Sequence, residues 1–145
     1  LYKPMNNPDF NDAYLEVIGS IGERLYPTTA RGITGLLRFL SDGGIAGIVA
    51  DVASHRAPKL SFFGVTANTP VSAAEWALKY DAVMIPVFGR RLEDGFSFEL
   101  VFKDPIATDT PEAMMQKMND VTEEMVRANP EQWFWIHNRW KPHRK

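Results

Sequence analysis

Apolar positions recur along this chain with two periods, and the alternation of those periods outlines its elements. Ile33, Leu36, Leu37 and Leu40 stand at i, i+3, i+4 and i+7, the spacing of one buried helix face. Thr28 and Thr29 precede that run as caps, and Gly43-Gly44 follows it as a stop. Further upstream, residues 6–12 are turn-rich around Asn7-Pro8-Asp9, and Leu15, Ile18 and Ile21 predict a helix over 13–24. Residues 45–50 and 83–88 are continuous apolar runs, the pattern of strands buried on both faces of a parallel sheet. Between them, residues 60–63 predict a short strand closed by Gly64, and residues 71–79 a helix with Pro70 near its first turn. Phe96, Phe98, Leu100 and Phe102 alternate with Ser97, Glu99 and Val101 as in a half-buried strand. The Glu93-Asp94-Gly95 turn makes that strand and the one before it a hairpin or near neighbours. Thr110-Pro111-Glu112 opens a last helix with Met114, Met118, Val121 and Met125 on one stripe, stopped by Asn129-Pro130. One face alone is apolar, so the stripe reads as core rather than as a docking groove. The expected fold class is α/β, with a mostly parallel or mixed central sheet flanked by helices, in one domain over residues 1–145.

Composition narrows the classes. Of 145 residues, 45% are hydrophobic and 23% charged, which excludes a disordered chain. The 16 basic against 18 acidic residues are too balanced for a protein whose whole surface tracks nucleic acid, so no nucleic-acid partner is expected. With no cysteine there is no disulfide framework, thiolate metal site or thiol nucleophile. No segment approaches the roughly 18 consecutive apolar residues of a spanning helix. Leu1-Tyr2-Lys3-Pro4 lacks the features of a signal peptide, and the chain reads as the trimmed end of something longer.

Self-contained catalytic motifs are missing: there is no Gly-x-Ser-x-Gly elbow, no phosphate-binding glycine loop and no His-Glu-x-x-His helix. His55, His137 and His143 are too scattered for a metal site, and neither a metal nor a cofactor is expected. Asp51 follows the apolar run 45–50, where ligands of open α/β sheets gather; a turn or helix cap is the equal alternative. Arg90 and Arg91 follow the run 83–88 in the same way, so they are expected to meet Asp51 at one sheet edge, the other reading being an exposed pair at a turn. Phe62 and Phe63, adjacent in a strand, would point to opposite faces, so both faces are covered or one ring lines an apolar slot.

Charge is polarised along the chain. From Gln132 onward there are four basic residues and no acid, leaving 12 basic against 18 acidic residues before it, and three of the four tryptophans lie in this tail. Tryptophan beside arginine and lysine suits a lipid headgroup interface, and it equally suits base stacking or the packing of a C-terminal helix by Trp133 and Trp135.

In order along the chain, Leu1-Tyr2-Lys3-Pro4 with Asn7-Pro8, Gly43-Gly44 before the run ending in Asp51, and Phe62-Phe63-Gly64 form one set of blocks. Residues 73–80, the run 83–88 with Arg90-Arg91, and Pro130-Glu131-Gln132-Trp133 through Trp135, His137, Arg139, Trp140 and Lys141 form another. Together they resemble the C-terminal part of the lipid A biosynthesis acyltransferases of Gram-negative bacteria. The resemblance implies an incomplete acyltransferase-like domain from an enzyme that moves a fatty acyl group from acyl carrier protein to a hydroxyl of a lipid A precursor. It places that enzyme on the inner-membrane surface, peripheral on the cytoplasmic face. The family's catalytic His-x4-Asp/Glu motif is missing here, since Leu60 stands five positions after His55 and Pro142 five after His137. In the family it lies just upstream of the block matching Tyr2 to Pro4, so no catalytic residue is expected in this chain. Lys3 stands where the family has arginine, keeping the charge without the bidentate fork. Asp51 matches the acid of the family's Asp-Gln pair, with Val52 in place of the glutamine. Lys3, Asp51, Arg90 and Arg139 are thus the expected substrate-binding residues. The alternative is a non-enzymatic α/β module that binds anionic membrane through its basic, tryptophan-rich tail.

Overall fold

Asn7-Pro8 starts a helix. In the computed structural model, which describes residues 1–20, 22 and 24–140, α1 spans Pro8–Gly19, earlier than the apolar spacing predicts. The Asn7 side chain accepts a hydrogen bond from Phe10 N at 3.1 Å, and Pro8 occupies the first turn, where its missing N–H costs nothing. Ile21, counted into that helix from the sequence, lies outside the described residues. α2 spans Ala30–Ser41, capped by Thr29, whose hydroxyl accepts from Gly32 N. The predicted stripe is its inner face, with Leu36 buried, and Gly43 at φ +83° ends it. These two helices belong to one compact unit, Leu1–Val49. Within it Tyr2 lies parallel to Pro27, donating to Tyr26 O and accepting from Thr28 N.

The second unit is Ala50–Lys145. β1 (Lys59–Phe62) and β2 (Val65–Asn68) form an antiparallel hairpin around Phe63 and Gly64, both with positive φ. α3 follows over Ser72–Lys79, then β3 (Val87–Arg91) and β4 (Phe98–Phe102), a second antiparallel hairpin. α4 spans Pro111–Ala128, and a 3-10 turn over Pro130–Gln132 is the last regular element among the described residues. Ala74, Ala77, Ile106, Met114 and Met115 make the core, joined by Leu60, Val71, Met84 and Met118. Burying each of the two core methionines contributes about 1.5–3 kcal/mol. Of the predicted methionine stripe, Met114 is core and Met118 packs against it, while Val121 and Met125 are half-buried.

Helices and strands alternate as an α/β chain should, but a mostly parallel central sheet is absent among the described residues, which carry two two-stranded antiparallel sheets. Residues 45–50 run as irregular chain, with Ile45 94% exposed. Residues 83–86 do the same, with Met84 packed on the core, Pro86 buried, and Met84 O and Pro86 O accepting from Ile106 N and Lys103 N. The physical reason is that an apolar run becomes a strand only beside a second extended segment that satisfies its backbone groups. The β3–β4 hairpin agrees with the turn signal, whereas its burial does not: Phe98, Leu100 and Phe102 share an exposed face, and Phe96 beside them is 90% exposed.

Candidate functional site

The most heavily built polar cluster of the second unit surrounds Arg139, which is 1% exposed. Its Nη1 donates to Asn68 O at 2.8 Å and its Nη2 to Thr69 Oγ1 at 2.7 Å, with Asn119 Oδ1 at 3.5 Å. Thr69 in turn donates to Ala67 O, and Asn119 Nδ2 donates to both Ser61 O and Thr69 Oγ1. The guanidinium lies 5.5 Å over the Phe62 ring, a placement that stabilises a cation removed from water. Burial lowers the Arg139 pKa from its ordinary value, and the charge of Asp51 opposes that shift. No carboxylate forms an ion pair with Arg139 among the described residues, so neutral oxygens carry its hydrogen bonds. A buried cation so satisfied holds structure together and has little surface left to offer a ligand.

Next to it, Trp140 Nε1 donates to Phe62 O at 3.0 Å, and the Trp140 and Trp133 rings pack on Phe62. Phe62 is buried, whereas Phe63 has left the strand for the turn, packs edge-on against Phe62 and lies under Arg127. At the other end of the tail, Gln132 is bonded twice to the backbone of Arg91: Arg91 N donates to Oε1 at 2.8 Å, and Nε2 donates to Arg91 O at 3.1 Å. The tail between these anchors is irregular chain rather than a helix.

The sequence-predicted residues therefore part company. Asp51 and Arg139 feel each other's charge. Arg90 stands opposite Glu99 in the β3–β4 register and donates to its carboxylate from Nε at 2.8 Å and again from Nη2. It lies within β3 rather than beyond a strand end, and Asp51 lies in irregular chain, so the sheet edge on which they were expected to meet is not formed. Lys3 is exposed in the first unit. Thr69 and Asn119 escaped the sequence reading, and Gln132 entered it only as part of a matching block, without a role. Asn119 and Thr122 carried a signal, because with Met115 and Val126 they repeat at i, i+4, i+7 and i+11 along the innermost row of α4.

A cleft of about 240 Å³ lies between the end of α3 and residues 105–108, lined by Asp81, Met84, Ile106, Thr108 and Met114. It is smaller than the roughly 300–1,000 Å³ of ordinary ligand sites and no cation lines it, so it does not suit a phosphorylated ligand. No three His, Asp or Glu side chains converge as a metal cage among the described residues.

Helices against small sheets, with a cation-bearing tail strapped onto one of them, leave the class of protein to be settled by likeness. The chain belongs to the bacterial lipid A biosynthesis acyltransferase family, whose sequence profile matches residues 1–142. It is similar to the lipid A biosynthesis lauroyltransferase of Escherichia coli (strain K12), 24% identical over 149 residues, an alignment covering 97% of this chain and 47% of that protein. The chain thus spans about half the length of the curated relative it matches.

Proposed function

We propose that this chain is the acceptor-holding part of an O-acyltransferase that moves a fatty acyl group from acyl carrier protein to a hydroxyl of a lipid A precursor. It would work at the cytoplasmic face of the inner membrane, with both units belonging to one acyltransferase domain. The observation that carries the reading is the family match, which runs through both units.

In this chemistry the acceptor hydroxyl attacks the acyl carbonyl, its proton passes to a histidine imidazole, and the carrier's sulfur leaves as the ester forms. That histidine and its acid come from outside these 145 residues, because none of His55, His137 and His143 is followed here by an acid five positions on. What this chain contributes is positioning. Of the residues the resemblance implies, Lys3 in the first unit and Arg90 in the second are exposed cations, each suited on its own unit to acceptor phosphate, Arg90 by exchanging Glu99 for it. Arg139 serves the acceptor indirectly, by fixing the tail on the β1–β2 hairpin, and Asp51 acts on that guanidinium through its charge alone.

The test is to incubate the longer polypeptide that carries this chain with acylated carrier protein and a hydroxyl-bearing lipid A precursor, and to follow ester formation by mass. Ester formed by the longer polypeptide and not by the 145 residues alone is expected. Failure of the longer polypeptide to transfer overturns the enzymatic reading, and full-rate transfer by the 145 residues overturns the assignment of the base. A second reading, a membrane-binding module without catalysis, draws support from the exposed Phe134-Trp135-Ile136 and corresponds to lipid binding without transfer.

A further inference from the structure

Residues 133–138 form a short span fastened at both ends. Gln132 grips the Arg91 backbone on one side, and Arg139 with Trp140 is locked into the β1–β2 hairpin and α4 on the other. Between these fastenings three consecutive large apolar side chains face water: Phe134 is 67%, Trp135 53% and Ile136 85% exposed. The span is ordered from within, as Trp135 N donates to Trp133 O and His137 N to Phe134 O. Trp135 Nε1 already donates to Pro130 O at 2.8 Å, so moving the indole out of water strands no polar hydrogen.

We propose that Phe134, Trp135 and Ile136 are the point at which this chain enters a lipid surface, dipping into the headgroup and upper acyl region of an anionic bilayer. The inference rests on the reading of a membrane-surface enzyme and gives that membrane contact an address. Three features favour a bilayer. Aromatic side chains with satisfied polar edges suit the water–lipid interface. Arg139 is buried, but the sequence continues past the span with Lys141, Arg144 and Lys145 and no acid from Gln132 onward, a composition that matches anionic headgroups. Preordering by Gln132 and Arg139 removes much of the entropy that insertion of a loose segment would lose.

Trp135 provides the probe. The chain and its Trp135→Phe variant are mixed with vesicles of phosphatidylethanolamine and phosphatidylglycerol bearing brominated acyl chains, and tryptophan quenching is compared. Quenching that disappears with Trp135→Phe is expected. In flotation, Phe134→Ser combined with Ile136→Asp, both at exposed positions, is expected to bind about tenfold more weakly, while the thermal melt stays unchanged. Quenching indifferent to Trp135→Phe, or flotation of the double variant at full strength, overturns the inference and points to another surface such as the Phe98–Leu100–Phe102 face. Absence of any binding to the vesicles overturns it as well. Ester formation by the longer polypeptide is scored separately: transfer without Trp135 contact defeats this inference alone, and contact without transfer defeats the enzymatic reading alone.

Discussion

Arg139 reaches across 70 residues of chain to Thr69, donating from Nη2 to Oγ1 at 2.7 Å inside a site closed to solvent. Every hydrogen-bonding capacity of that hydroxyl is in use, since it also accepts from Asn119 and donates to Ala67 O. Thr69→Val keeps the shape and removes the oxygen, leaving two buried donors short of an acceptor. The expected cost is about 1–3 kcal/mol in urea unfolding. Arg139→Lys should cost a similar amount, because a single ammonium cannot span Asn68 O and Thr69 Oγ1 as the planar fork does.

Gly32 packs against Pro27 so closely that an added Cβ would fall 2.1 Å from Pro27 O. Backbone cannot yield there as a flexible side chain would. Gly32→Ala is expected to destabilise the first unit by about 1–3 kcal/mol, read from its unfolding transition, despite the better helix propensity of alanine.

Arg90 and Glu99 separate stability from recognition. Their pair is exposed, so Arg90→Ala and Glu99→Ala should each change stability by only about 0.2–1 kcal/mol. If Arg90 meets acceptor phosphate, Arg90→Ala in the longer polypeptide raises KM for the phosphorylated acceptor roughly tenfold with kcat little changed, whereas Glu99→Ala leaves KM unchanged or lowers it. Steady-state kinetics at fixed donor concentration distinguish the two.

Asp94 fixes the turn between β3 and β4, accepting from the Ser97 hydroxyl and from Phe96 N and Ser97 N. The Ser97 hydrogen bonds, side chain first, then that of Phe96, lower its pKa from the ordinary 3.8. The folded form therefore favours the carboxylate, and this stabilisation is present above pH 3.8 and lost as pH falls through the lower folded value. Asp94→Ala should be less stable than the parent at neutral pH, with the gap closing in acid unfolding curves only below that point.

The legible parts of the fold were those whose cause is local. α2 announced itself through Thr29, a four-residue apolar stripe and Gly43, all within reach of one another. The β3–β4 hairpin followed from the Glu93-Asp94-Gly95 turn and the alternation after it. Residues 45–50 and 83–86 misled, because hydrophobicity records what a segment avoids and not which neighbour will complete its ladder. Arg139 misled for a related reason. Set among tryptophans and other cations it reads as an outward-facing contact, and its burial depends on Thr69 and Asn119, which are far away in the chain. The alternatives left open for the two tail tryptophans divide between them: Trp133 packs on Phe62, and Trp135 stands exposed.

The grip of Gln132 on Arg91 has a twin. Gln116 accepts from Ser61 N at 2.8 Å and donates back to Ser61 O at 3.1 Å, so each hairpin has one strand residue answered by a glutamine amide in the way another peptide would answer it. A side-chain amide imitates a neighbouring strand for a single residue and then ends. Two ribbons that would otherwise invite further chains to add on, and so seed fibrils, are stoppered at those points by groups that cannot propagate the ladder.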